Sequence, residues 1–422
     1  MKHIVFILGV FYPDPAANGY CTKKIIDELK KGNKVTVICY GSDNTKSQLN
    51  VENIDIYMLS NWRNKIRNLA TKKIAKTQYK MRKVFWKSII TFTRVTRAIV
   101  SAFSWPTSEK WFIKKALKEL NEINKISPIN AIVTVSRPYE AHIVGLEYVK
   151  KHKNTKWLTY TLDQFSDHKA IHKYVLNKKK RDRINIQSEC EINNKADINF
   201  ITESRQNWCE NLPGIEMKKV RALSFPLMAP LEPSNEKPFV KEDDKVHLLY
   251  AGTFYKDIRN PEYLLELFTN INDEKLILHL FSKGDCESII NKYVKKSNGK
   301  IINHGAVPVN VVHSALQQAD ILVNIGNSVK EQLPSKIYEY ISAGKPIVNL
   351  YQNNLSYENI FKDYPSVLQI NQDIPFTDAT KEKFLLFCTE NKGQDFEYNE
   401  LERIYTKSTP KYIASVFESY VK

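Results

Sequence analysis

The 422-residue chain contains neither G-x-G-x-x-G nor G-x-x-x-x-G-K-[ST]. Without the first it lacks the glycine turn that brings a dinucleotide onto a Rossmann backbone, and without the second the phosphate cradle of P-loop hydrolases. Cysteine is scarce and scattered, at 21, 39, 190, 209, 286 and 388, with no C-x-x-C pair and no clustering with histidine. A disulfide frame and a cysteine–histidine zinc site are thereby excluded, and reduced packing thiols are expected. Glycine (13) and proline (17) are few beside a 42% hydrophobic content, which argues against a disordered chain. No apolar run approaches the roughly 20 residues that span a bilayer, and residues 1–9 are too short for the apolar part of a signal peptide. No D-x-D pair suited to a divalent ion occurs. Finally, residues 62–100 hold twelve Lys or Arg and no Asp or Glu, most of the formal +17 net charge.

What is present is alternation. Apolar runs at 4–8, 35–40, 54–59, 131–135, 157–162, 198–202 and 220–225 alternate with helical patterns. A second series follows at 246–251, 276–281, 301–303, 321–325, 347–350 and 367–370. This rhythm predicts βαβ units and parallel sheets, an α/β protein. Between the series, residues 226–238 carry four prolines in thirteen positions, which reads as a linker. The expected organisation is a first domain over 1–225 with a basic insert at 62–115, a linker at 226–240, a second domain over 241–400 and a terminal segment over 401–422. In that last segment Ile413, Val416, Phe417 and Tyr420 keep helical spacing. Doubly wound domains bind ligands at the carboxyl ends of their strands.

The densest chemistry follows the run at 321–325. Glu331 and Glu339 stand eight positions apart and bracket Pro334, Ser335 and Lys336. Proline suits the first turn of a helix, where its missing N–H would have no partner. Ser335 and Lys336 then sit where free N–H groups and the positive dipole end favour phosphate. Glu339, three residues after Lys336, shares its helix face and suits ribose hydroxyls. The segment reads as a grip for a nucleoside diphosphate. With Ala343-Gly344-Lys345-Pro346 behind it, which keeps the G-x-P of the family's A-x-G-x-P turn and has Ser342 in the place of its alanine, the E-x7-E spacing resembles the retaining glycosyltransferases of family four. These have the GT-B fold, two Rossmann-like domains facing a central cleft.

The resemblance implies a UDP- or GDP-sugar donor, no metal and no further cofactor. It also implies roles for other positions. Gly19, after the first strand, stands where a glycine lets the backbone approach the donor diphosphate. Ser136-Arg-Pro-Tyr-Glu-Ala-His142 is similar to an S-x-P-x-x-x-H segment, so His142 would face the cleft and bond the transferred sugar or orient the acceptor. Arg137 stands where a small residue is usual. Asp163 suits sugar or acceptor hydroxyls, or a cap. Lys256 and Arg259 are the cations for the leaving diphosphate, Arg259 favoured; Thr253 occupies a position where arginine is common. His304-Gly305-Ala306-Val307 resembles the segment whose backbone, at Val307, reads the base. In such enzymes the terminal helix crosses back to the first domain.

Within 62–100, Phe85, Ile89, Phe92, Val95 and Ile99 recur at steps of three and four, flanked by Lys87, Arg94 and Arg97. A basic amphipathic helix with aromatic residues suits an anionic membrane surface. A solvated helix packed on the first domain is the alternative; nucleic acid is not expected, since no recognition motif accompanies the charge. We therefore expect a cytoplasmic enzyme, peripheral on the inner face of the plasma membrane. It would move a sugar with retention to a glycan or polyprenyl-linked acceptor of bacterial surface polysaccharide synthesis, using Glu331, Lys336, His142 and Arg259. A nucleotide-sugar 2-epimerase and a catalytically silent subunit of the same architecture are the alternatives.

Overall fold

A computed structural model describes the chain except residues 14, 42–47, 108, 167–176, 233–234, 329–335 and 353–358, with only the backbone described at 101–103. Glu331, Pro334 and Ser335 therefore lie outside the described residues. The chain forms two compact units, residues 1–226 with 410–422, and residues 227–409.

The first unit is built on β1 (His3–Ile7), β2 (Lys34–Tyr40), β3 (Gln48–Val51), β4 (Ile54–Leu59), β5 (Ala131–Val135), β6 (Lys156–Thr161), β7 (Ile198–Thr202) and β8 (Val220–Leu223). They form one sheet in the order β3-β4-β2-β1-β5-β6-β7-β8, parallel except for the β3–β4 pair. Every residue of β1, β5 and β7 is buried, as expected for strands covered on both faces, and this is why their sequences are continuous apolar runs. β3 alternates exposed and half-buried residues at the sheet edge and carries no such run.

The second unit holds β9 (Val246–Phe254), β10 (Leu276–Gly284), β11 (Ile301–Asn303), β12 (Ile321–Ile325), β13 (Ile347–Tyr351) and β14 (Val367–Asn371). Their order is β11-β10-β9-β12-β13-β14, all parallel. In each unit the chain leaves the central strand first to one side and then to the other. The crevice where the order reverses lies at the carboxyl ends of β1 and β5 in one sheet and of β9 and β12 in the other.

One boundary differs from the sequence reading. Described residues on both sides of 233–234 pack on the second unit rather than hanging as a linker: Met228 N–H donates to Ser408 O at 3.0 Å, Ala229 N–H to Ser342 Oγ at 3.2 Å, and Phe239 stacks on His279 at 3.9 Å. Proline there interrupts regular structure without freeing the backbone. The helix Pro410–Val421 belongs to the first unit. Its Phe417 packs against Phe200 with ring centres 4.3 Å apart, and Asn33 Nδ2 donates to Glu418 Oε1 at 2.6 Å.

Candidate functional site

The second unit gathers cations where its strand order reverses. After β9 the backbone folds back tightly, with Arg259 N–H donating to Tyr255 O at 2.7 Å. Ser328 N–H donates to Ile258 O at 2.8 Å, which stitches this loop to the one after β12. Arg259 Nε donates to Asn327 Oδ1 at 2.9 Å, fixing the guanidinium beside that second loop. The short helix Ile337–Ser342 is pinned from below: buried Tyr340 OH accepts from Ala251 N–H at 2.6 Å and donates to Ala251 O at 3.1 Å. This seats Lys336, the residue preceding the helix, and Glu339 over the end of β9.

Burial pushes the Lys336 ammonium below its usual range; Glu339 pulls it back, while Arg259 and Lys283 push it further down. Lys336 therefore carries a charge that its surroundings disfavour, with no ion pair among the described residues. An unneutralised cluster of this kind is ready for an anion. Lys283 escaped the sequence reading because β10 was read to end at 281; the strand runs on to Gly284, pairing Lys283 with Thr253. Lys283 thus stands across the ladder from Thr253, where the resemblance implies an arginine. Lys256 lies apart: it is exposed, its N–H donates to Asp285 Oδ1 at 2.9 Å, and its charge acts on Cys286. Val307 follows β11 in an irregular segment and is half-buried.

In the first unit the loops after β1, β5 and β6 meet. Asn18 Nδ2 donates to Ser136 O at 3.0 Å and to Asp163 Oδ2 at 3.1 Å, and Ser136 Oγ accepts from the N–H groups of Leu162 and Asp163. Arg137, at φ 59°, sets its guanidinium 3.7 Å from Asp163. A Cβ on Gly19 would stand 2.3 Å from Val10 O, so the chain's own packing demands this glycine. The expected orientation of His142 is corrected. It is 3% exposed, with Nδ1 2.8 Å from Thr134 Oγ1 and Nε2 3.5 Å from Thr161 Oγ1. Its helix, Glu140–Lys151, turns that face onto the sheet. An alternating polar residue on a core face gives no signal of this in the sequence.

Burial lowers His142 to about 3, from an ordinary value of 6.5. The fold therefore binds it neutral, and below pH 6.5 the unfolded chain takes a proton that the folded chain refuses. Stability is full above pH 6.5 and falls as the pH drops toward 3. Thermal unfolding between pH 4 and 8 should show this acid loss, reduced in His142→Gln.

A hairpin of two helices, Trp62–Lys76 and Lys80–Phe103, forms a second surface. Thr93 is buried and Trp86, Ile89, Ile90 and Thr96 are half-buried along one face. On the other face Phe85 and Phe92 are 58% and 61% exposed, with Val95 and Ile99 beside them. Glu109 anchors the base, 3.1 Å from Arg63 and 3.3 Å from Arg97. Among the described residues no helix is long and apolar enough to cross a membrane.

Residues 245–356 match the family model described as glycosyl transferases group 1. Three solved structures share the fold across nearly the whole chain. Sucrose-phosphate synthase from Thermosynechococcus elongatus aligns with a TM-score of 0.65 at 13% identity, over 99% of this chain and 98% of that one. WaaG, a glycosyltransferase involved in lipopolysaccharide biosynthesis, aligns at 0.55 and 11%, over 98% and 99%. HepE from Anabaena, solved with UDP and glucose, aligns at 0.54 and 9%, over 99% and 95%. No curated protein matches by sequence.

Proposed function

From the match of residues 245–356 to the group 1 glycosyltransferase model and from the GT-B fold, we propose that the chain transfers a sugar with retention, as family-four enzymes do, from a nucleotide-sugar to an acceptor hydroxyl. The observation that carries this reading is the convergence of Lys336, Arg259 and Lys283, with Glu339 beside them, at the strand ends of the matched segment. Those cations face the charge that develops on a departing nucleoside diphosphate; fixed groups aimed at developing charge are a large catalytic term. They supply what a divalent ion supplies in other transferases, so the reaction is proposed as metal-independent. Glu339 accepts the ribose hydroxyls. Glu331, with Pro334 and Ser335 on the segment leading into Lys336, holds the donor sugar and its diphosphate.

The sugar's C1–O bond to phosphate breaks as the acceptor oxygen bonds to C1 on the same face, and the acceptor's proton passes to the departing phosphate oxygen. Asp163 and Asn18 take the acceptor side, and His142, buried behind them, braces the ends of β5 and β6. UDP and glucose in HepE support a UDP- or GDP-sugar as donor, and the role of WaaG supports a lipid-linked glycan acceptor. Thermal shift with UDP- and GDP-sugars, followed by a transfer assay on polyprenyl-linked acceptors, tests this. A donor should raise the melting temperature by linkage; no shift and no transfer with any donor would overturn it.

The basic hairpin seats the enzyme on the cytoplasmic face of an anionic membrane, where such an acceptor is embedded. Each Lys or Arg near the surface contributes about 1 kcal/mol, screened by salt. Co-sedimentation with anionic vesicles should be strong at low salt, weak at 0.5 M salt or with neutral lipid, and diminished in Phe85→Ser/Phe92→Ser. Equal recovery on both lipids would remove the membrane role.

A further inference from the structure

Three histidines from three adjacent strands of the second unit form one hydrogen-bonded chain that the transfer step does not use. His247 on β9 places Nδ1 3.0 Å from His279 Nε2 on β10, and His279 places Nδ1 2.9 Å from His304 Nε2, just past β11. Phe239 stacks on His279 at 3.9 Å, and Phe281 lies parallel to His304 at 4.2 Å, so the ring planes are held.

The inner end decides where the protons sit. The Glu242 N–H donates to His247 Nε2 at 3.0 Å. Glu242 O lies 3.3 Å from the same nitrogen, but a proton placed there would oppose the N–H at the shorter contact. His247 Nε2 is therefore the acceptor, its proton is on Nδ1, and that proton is donated to His279 Nε2. The same assignment passes along to His304. Each ring is thus the Nδ1–H form, and His304 presents its Nδ1–H as the outward end of the chain. No Nε2 is free to take a further proton. Burial holds all three rings below the usual histidine range, with His304 and His247 pressing His279 to about 3. Around His247, Asp320 and Glu242 oppose this shift and Lys241 reinforces it.

We propose that His304 is a specificity-determining hydrogen-bond donor for the nucleobase of the sugar nucleotide, locked in one tautomer by His279 and His247. It is half-buried and immediately precedes Gly305–Val307, so the inference rests on the donor-site reading that places the base there. A free imidazole changes tautomer to suit a donor or an acceptor. A locked N–H donates to a keto oxygen, as in uracil or guanine, and rejects the amino group of adenine by leaving two donors opposed.

Nitrogen-15 NMR of the histidine-labelled full chain, alone and with UDP, GDP or ADP, tests this. All three rings should be the Nδ1–H form from pH 5.5 to 8, UDP or GDP should move the His304 Nδ1 signal, and ADP should bind at least about tenfold more weakly. In His304→Phe, which keeps the stack on Phe281, the preference over ADP should fall to within about threefold. In His279→Leu, His304 Nε2 is released to take a proton, so nucleotide affinity should become pH-dependent on the acid side, below the usual histidine range because burial remains. An Nε2–H form at His304, or binding of UDP and GDP that leaves its signal unmoved and His304→Phe unaffected, overturns the proposal. If none of the three nucleotides binds, the donor site itself is misplaced, and the ligand assigned to His304 falls with it.

Discussion

Replacing Lys336 by methionine is expected to lower transfer by about 10²–10³-fold, the usual loss for one fixed donor to developing charge, while raising the melting temperature. Both effects follow from one circumstance. The ammonium is buried, and Arg259 and Lys283 repel it while Glu339 attracts it. Removing a charge that the fold disfavours relieves the protein, as stability–activity trade-offs at active sites commonly do. Removing the same charge from a departing diphosphate leaves the transition state under-neutralised. The proton linkage has a definite sign. The folded state holds Lys336 below its ordinary 10.5, so the wild type gains stability as pH rises through the folded value toward 10.5, and the variant lacks that gain. Glu339→Gln removes the attraction, so the alkaline limb of kcat/KM should move to lower pH and donor KM should rise. Steady-state kinetics and thermal unfolding from pH 7 to 10 measure all of this. Near-normal transfer by purified Lys336→Met would sink the site assignment.

The second large effect is on stability. Gly344, in the turn after the helix Ile337–Ser342, has φ 66°, and a Cβ there would meet Phe396 O at 2.3 Å. Phe396 N–H also donates to Gly344 O at 2.7 Å, and Lys345 pairs with Asp395, so the opposing backbone cannot retreat without losing both contacts. Gly344→Ala adds left-handed strain to a backbone collision, and a loss of roughly 2–4 kcal/mol is expected. That corresponds to a fall of about 5–12 °C in the second unit's melting transition. A change under 2 °C would show that the turn relaxes freely. The helix that carries Glu339, with Lys336 just before it, ends at this turn, so donor affinity should weaken before the unit melts.

Every apolar run read from the sequence is a strand; in β1, β5, β7 and β12 the run is continuous because both faces are covered. The missed strand, β3, lies at an edge with alternate residues in solvent, where neither face imposes a pattern. Lys336 and Glu339 were legible for a local reason, since three residues on a helix fix their proximity. Lys283 was not, because a strand's last residues are set by its neighbour's register rather than by their own hydrophobicity. His142 was read as an open-facing residue, and packing turned it onto the core.

Composition and periodicity, acting through burial of apolar strands and helix faces, determined on their own that the chain folds as two parallel α/β units with a basic, amphipathic insert. Tertiary structure alone decided which cations from the loop after β9, from β10 and from the segment before Ile337 act on one another, and which way three imidazoles pass their protons. Those outcomes depend on contacts between residues tens of positions apart, and such contacts leave no period in the chain.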